Sequence, residues 1–493
     1  MSLNKRSSGV LLPIFSLPSE YGIGSIGMEA YGFIDFLKGA GQKFWQILPL
    51  GPTSYGDSPY QSLSSCAGNP YFIDIDRLKS EDLITDFEIE KFTSRTDSID
   101  YEFLFNNRYK ILKIAYSRLS DEEKYYLYEF RQREGQWLED YALYISIKEV
   151  QKHKPWYEWK DEYKFQDSDS IENFSQKYSE LIEFHIFTQY EFFKQWNDLK
   201  NYANENGIEI IGDLPIYVPY DSVDVWRNPE LFNLDEELEP IRVGGVPPDY
   251  FNEEGQLWGN PTYDTNVLKN QDYRWWVERL GASFRFVDIL RLDHFRGFES
   301  FYCINNDCDN AKIGIWEKGL GVEFIDTIKA EFGKDRFIAE DLGFLTEDVR
   351  ELLILSEFPG MVVLQFGFSP NTESSYLPHN HKKNQIAYLG THDNDTAIGY
   401  YEMIDEEERE YITNYMKLDI KESINWGMIR GLMQSIANTT IIQVQDLIGL
   451  GNEARINIPG IPEGNWVWQM KANMLNEDIR DRLYKLTKLY SRV

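Results

Sequence analysis

The stretch ILRLDHFRG, residues 289–297, is an apolar strand that ends in charge, and its reading decides the fold. In an extended chain Ile289, Arg291 and Asp293 project to one side and Leu290 and Leu292 to the other. An arginine two residues before an aspartate on the same side favours the ionised carboxylate, because opposite charge stabilises the charged form. That strand alone does not separate an anionic nucleophile from a buried ion pair without chemistry. Three further apolar runs end the same way: IIGDLP (210–215) with Asp213, FIAEDLG (337–343) with Glu340 and Asp341, and YLGTHDND (388–395) with His392, Asp393 and Asp395. Parallel strands closed into a barrel bring their C-terminal ends to one rim, where catalytic groups gather. Four acid-bearing ends on one rim are costly unless the charge is used.

Working outward, short apolar runs recur and most precede a helical pattern, the signature of βα units. Strands are expected at 10–15, 44–50, 208–218, 289–293, 337–340, 361–366, 385–390 and 440–444. Several are nearly continuous in Val, Ile and Leu, as strands covered on both faces are. Thr346, followed by Glu347 and Asp348 and a periodic run to Phe358, reads as an N-cap with an acidic first turn. The eight strands predict an α/β fold, a (β/α)8 TIM barrel, with 1–493 as one catalytic unit. About 157 residues separate the second and third strands, so 80–200 is expected to be a helical insertion beside the barrel. Its aromatics, among them Tyr125, Tyr126, Tyr128 and Trp137, are expected in a core. A second insertion, 219–280, is expected to form part of the active-site cleft. It opens with the irregular, Gly- and Pro-rich stretch 219–263, and long loops in compact folds are usually lids or binding loops. The chain ends in a helical pattern soon after the eighth strand, so no C-terminal β-domain is expected.

Composition narrows the partners. Fifty Lys and Arg against 81 Asp and Glu leave a formal charge of −31, which repels phosphate backbones and anionic lipid. Neither nucleic acid nor a membrane is an expected partner, whereas a neutral sugar is indifferent to such a field. Cys66, Cys303 and Cys308 make no disulfide framework. The polar start at Met1–Gly9 is no signal peptide, no run reaches the roughly 18 apolar residues of a membrane span, and a cytoplasmic protein is expected. A monomer or weak homo-oligomer is expected. His379 and His381 lack supporting metal-ligand spacing, and neither a phosphate-binding loop nor a nucleophile elbow is present. No metal and no cofactor are expected.

Glu340 follows an apolar strand, where desolvation and neighbouring carboxylates raise the pKa of a carboxyl, the condition for a general acid near neutral pH. Two carboxyls in opposed environments suit glycoside chemistry. Asp393 is a third carboxylate able to orient sugar hydroxyls, and His294 and His392 flank the candidate aspartates as short donors.

The motifs RLDHFRG, AEDLG and GTHDND, with GDLPIYV upstream, resemble the α-amylase clan. The segments at 45–71, 221–232, 245–264 and 456–468, with PPDYF and SPYQS among them, narrow the resemblance to the 4-α-glucanotransferases called amylomaltases or disproportionating enzymes, glycoside hydrolase family 77. The resemblance implies Asp293 as nucleophile, Glu340 as acid/base and Asp393 as transition-state stabiliser. It places Tyr60, Asp213, Arg291, His294 and His392 around the sugar at the cleavage point. It makes Asp249, Tyr250, Gln256 and Trp258 part of a loop over the site, Asn465 a late substrate contact, and Tyr55 part of a remote second glucan site. Two positions depart from the family pattern: Thr265 stands where an aromatic is common and Gln469 where Arg is usual. The implied activity is retaining transfer of α-1,4-glucan segments to the 4-hydroxyl of glucose or a maltooligosaccharide. The alternative is an α-glucosidase or α-amylase hydrolase of the same clan.

Overall fold

The computed structural model describes residues 3–53, 56–94, 96–248, 253–368, 373–419, 421–461 and 463–493. In chain order its strands are β1 (Ser7–Leu11), β2 (Phe44–Gln46), β3 (Glu209–Leu214), β4 (Arg242–Val246), β5 (Gln256–Pro261) and β6 (Ile289–Leu292). They continue as β7 (Ser300–Asn305), β8 (Ile315–Lys318), β9 (Phe337–Ala339), β10 (Gly360–Val363), β11 (Gln385–Tyr388) and β12 (Thr439–Gln443).

Eight of them form one parallel sheet in the order β10-β11-β12-β1-β2-β3-β6-β9. The two ends of that order meet, since the Ala339 amide donates to the Pro359 carbonyl at 2.9 Å. The result is a nearly closed (β/α)8 barrel. Each of the eight expected strands is present and all are shorter at the C-terminal end than their apolar runs suggest. Pro13, Pro49 and Pro215 follow β1, β2 and β3 closely, and a residue without an N–H cannot extend a ladder. Both faces are covered: every residue of β1, β6, β10 and β12 is buried.

Between β2 and β3 run the helices Tyr101–Tyr116, Asp121–Glu134, Gln136–Val150 and Ser179–Glu205, with shorter ones around them. The helix 121–134 corrects one expectation. Only Leu127 and Phe130, three residues apart, are buried in it, so Tyr125, Tyr126 and Tyr128 fall on the outer face and are exposed. Trp137 is half-buried, packed edge-on to Phe193.

The irregular stretch after β3 contains β4 and β5, which join β7 and β8 in an antiparallel sheet of order β5-β4-β7-β8. Glycines hide these strands from a pattern reading. β4 reads RVGGV, its pairing with β5 shifts register between Val243 and Gly245, and a Cβ on Gly244 would sit 2.4 Å from the Tyr217 ring. Cys66, Cys303 and Cys308 are free thiols. No helix among the described residues is long and apolar enough to cross a membrane.

Candidate active site

The register of the barrel places the charged residues before any side chain is considered. Asp213 on β3 pairs with Arg291 on β6, and Arg291 pairs with Ile338 on β9. The ladder then runs one step past each strand, with Asp293 N donating to Leu214 O at 3.0 Å and Glu340 N to Leu292 O at 3.1 Å. Asp293 and Glu340 therefore leave adjacent strands at one level of the rim.

Arg291 forks between two carboxylates. Its Nη1 donates to Asp213 at 2.8 and 2.7 Å and to Asp293 Oδ1 at 2.8 Å. Burial works against this guanidinium's charge, but Asp213 and Asp293 outweigh it and raise its pKa well above the ordinary value. The two carboxylates differ in access: the Asp213 side chain is 0% exposed and that of Asp293 is 30% exposed. Burial raises the Asp213 pKa despite the arginine. Asp213 is the fixed counterion, and Asp293 is the anion that faces the cleft.

Glu340 is arranged differently. Its carboxylate accepts from His294 N at 2.8 Å and Leu342 N at 2.9 Å. Burial pushes it up to about 7, with Arg291 opposing and Asp293 reinforcing the shift. His294 is in the left-handed region, φ 52°, and this turn after β6 aims its N–H at Glu340. Asp341 turns away, accepting from Met361 N at 2.6 Å, and burial raises it to about 6.

The far side of the rim is built on Tyr60. Its hydroxyl donates to Asp213 Oδ2 at 2.9 Å and lies 2.8 Å from His392 Nε2. One phenolic proton cannot serve both, so Nε2–H is the donor to the Tyr60 oxygen and Nδ1 is left for another contact. Nδ1 is buried and has no partner among the described residues. His392 Nε2 is also 3.3 Å from Asp393 Oδ2, and its ring stacks on Tyr60 at 5.4 Å. The His294 Nε2 is likewise buried and unpartnered, and burial lowers that ring to about 4, so it is neutral. Two unpartnered ring nitrogens at one rim are groups reserved for a ligand that hydrogen-bonds.

Trp258 packs edge-on to His294 at 5.0 Å, and its indole N–H donates to Gln256 Oε1 at 3.1 Å. The two residues lie two apart on β5 and so share a face. Asn465 is set differently: its amide bridges Ile458 N, Ile458 O and Ile461 O, which closes the turn leading into Trp466. Trp466, not Asn465, touches the Tyr60 and His392 rings. Tyr55, Asp249, Tyr250 and Phe251 lie outside the described residues. At one departure from the family pattern, Gln469 donates to Leu17 O at 2.9 Å, a packing role away from the carboxylates.

Two site residues were missed by the sequence reading. Asn457 Nδ2 donates to Asp393 Oδ1 at 2.6 Å. Arg455 holds Asp393 O at 2.6 Å, Asp395 Oδ1 at 2.5 Å and Asn457 O at 2.8 Å. Asn457 sits in the segment quoted for the resemblance and Arg455 just before it, but nothing in their spacing points back to Asp393, 64 residues before Asn457. Asn457→Ala is expected to lower kcat about 10- to 100-fold by letting Asp393 rotate. Steady-state kinetics check this, and a change confined to KM would contradict it.

The rim thus holds an accessible carboxylate paired with an arginine beside a buried carboxyl whose pKa is pushed up to about 7, an arrangement that suits two-step glycosyl transfer. Comparison with known proteins agrees with this chemistry. The family model for 4-alpha-glucanotransferase, glycoside hydrolase family 77, matches residues 12–475. A 4-alpha-glucanotransferase of Clostridium butyricum is 46% identical over 97% of this chain and 99% of its own. One from Streptococcus pneumoniae is 44% identical over 100% of this chain and 98% of its own. The crystallised amylomaltase from Streptococcus agalactiae in complex with acarbose is 42% identical, covers 99% of this chain and 100% of its own, and superposes with a TM-score of 0.97. With family model, full-length relatives and fold in agreement, the chain belongs to the 4-alpha-glucanotransferases of glycoside hydrolase family 77, enzymes that transfer glucan segments.

Proposed function

We propose that this 4-alpha-glucanotransferase works by double displacement, with Asp293 as nucleophile and Glu340 as general acid and base. The observation that carries the reading is the Arg291 fork, which pairs with Asp293 and leaves it open to the cleft opposite a Glu340 that burial pushes up to about 7. Glu340 donates its proton to the glycosidic oxygen as Asp293 attacks the anomeric carbon. The C1–O bond breaks, the shortened glucan leaves with the proton, and a β-linked glycosyl ester forms on Asp293. Glu340, now ionised, takes the proton of an incoming sugar 4-hydroxyl. That oxygen attacks C1, Asp293 leaves, and the α-1,4 link is restored.

The other site residues serve the reacting ring. Asp393, set by Asn457, faces the ring's hydroxyls and its developing positive charge. His294 Nε2 and His392 Nδ1 meet hydroxyl groups with the two unpartnered nitrogens. Tyr60 and Arg291 keep His392 and Asp293 in register through Asp213. Trp258, joined to Gln256, walls the cleft against water on the acceptor side. Asn465 acts by shaping the loop that ends in Trp466. Asp249 is assigned to the same site by the family motif. The substrates are α-1,4-glucans and maltooligosaccharides.

Incubation with maltotriose tests the reading. Transfer yields glucose together with maltotetraose, maltopentaose and longer products. Glucose and maltose alone, in equal amounts, would overturn it in favour of hydrolysis.

A further inference from the structure

The acid/base gives the cleft a direction. A general acid must lie on the side of the oxygen that it protonates, so the leaving sugar and then the acceptor occupy the flank beyond Glu340. Two chain segments lead away from the Glu340 carboxylate, each tied to it by a backbone N–H. One leaves from Leu342, whose N–H holds Oε1, and reaches Phe344 two residues on. The other leaves from His294, whose N–H holds Oε2, and reaches Arg296 two residues on. The two segments join again: Arg296 Nη1 donates to the Phe344 carbonyl at 2.8 Å. The Arg296 guanidinium also lies over the ring of Trp316 on β8, 4.0 Å from its centroid.

Both aromatics on this strip reach solvent, although Trp316 packs against Tyr302 as well as under Arg296. Phe344 is 80% exposed and Trp316 is 45% exposed. A phenylalanine left in water two residues from a ligand of the acid/base has no packing reason to be aromatic. Its chain neighbour Leu342, by contrast, packs against the core. Opposed to a pyranose ring, whose C–H faces are apolar and whose edges are hydroxyls, Phe344 gains a partner and Trp316 covers its open side. The guanidinium over Trp316 spends Nη1 on the Phe344 carbonyl, and its Nε has no partner among the described residues.

We infer that Phe344 and Trp316, bridged by Arg296, form an outer acceptor subsite that binds glucose units beyond the one whose 4-hydroxyl is glycosylated. The inference rests on the assignment of Glu340 as acid/base, because that assignment fixes which flank is the acceptor's. The subsite makes the enzyme prefer an acceptor several glucose units long over free glucose.

The test offers soluble starch as donor to two competing acceptors, isotope-labelled glucose and maltotetraose labelled at its reducing end, and compares label in elongated products at early times. Phe344→Ala is expected to cut the maltotetraose-to-glucose preference about three- to tenfold, the scale of one aromatic contact. Trp316→Ala is expected to act in the same direction, and Phe344→Trp to keep the preference. An unchanged ratio in Phe344→Ala, a proportional loss for both acceptors, or a Phe344→Trp protein that behaves like Phe344→Ala overturns the subsite. Failure of the underlying mechanism is told apart, because it appears as full activity in Glu340→Gln, whatever the acceptor ratio.

Discussion

Asp293→Asn is expected to lower kcat for maltotriose disproportionation on the order of 10³-fold or more, while the protein stays folded. The amide keeps the shape of the carboxylate but cannot form a glycosyl ester, so the first bond-making step is lost. The fold tolerates the change because Arg291 retains both contacts to Asp213, the buried member of the fork. Thermal melting should therefore move far less than the rate. A purely structural ion pair predicts the reverse, a large loss of stability with turnover within tenfold of the parent. A second readout isolates the nucleophile. In Asp293→Ala, with an α-glycosyl fluoride as donor, azide should attack C1 from the vacated face as fluoride leaves. The product is then a β-glycosyl azide, and an α-configured azide or none at all would sink the assignment.

The parts of this molecule that were legible in its sequence are those where the polymer pattern and the chemistry coincide. The eight barrel strands are buried on both faces, so they appear as apolar runs, and the acids that end β3, β6 and β9 lie on the strands or one residue past them. Strand ends were placed too late because apolar residues continue beyond the ladder, as in Leu48 after β2 or Ile216 after β3, where they pack as loop residues. The small antiparallel sheet was illegible for the opposite reason. β8 carries Ile315, Trp316 and Lys318 to solvent, and β4 and β5 are interrupted by Gly244, Gly245 and Gly259, so neither alternation nor an apolar run survives. Tyr125, Tyr126 and Tyr128 are aromatic yet exposed because the helix is phased on Leu127 and Phe130, so aromatic content alone does not mark its core face. At the site, spacing within one strand predicted the Arg291–Asp293 pair, yet the choice of Asp293 over Asp213 as the accessible anion depends on depth in the barrel, which sequence does not encode locally. Asn457 and Arg455 reach Asp393 from a different loop, a long-range contact of the same kind.

Glu340→Gln separates the acid role from the base role and carries the pH dependence with it. On maltotriose, whose leaving group needs a proton, kcat/KM is expected to fall about 10²- to 10⁴-fold, the share that a positioned acid supplies. With an α-maltosyl fluoride donor the leaving group needs no proton, so formation of the glycosyl ester should survive and transfer to a sugar acceptor should become the slow step. The parent enzyme should lose kcat/KM as pH rises through about 7, because burial holds Glu340 protonated to that point and the ionised form has no proton to give. That limb should be absent from the residual activity of Glu340→Gln. The same raised pKa has a sign in stability. A carboxyl held at about 7 in the folded protein against an ordinary 4.5 makes unfolding easier as pH climbs between those values, since the unfolded chain ionises freely. Glu340→Gln is therefore expected to melt higher than the parent at pH 8 and to match it at pH 4. If the two backbone donors outweighed burial, the difference at pH 8 would be reversed, so one melting comparison decides which of the two sets the charge of this carboxyl.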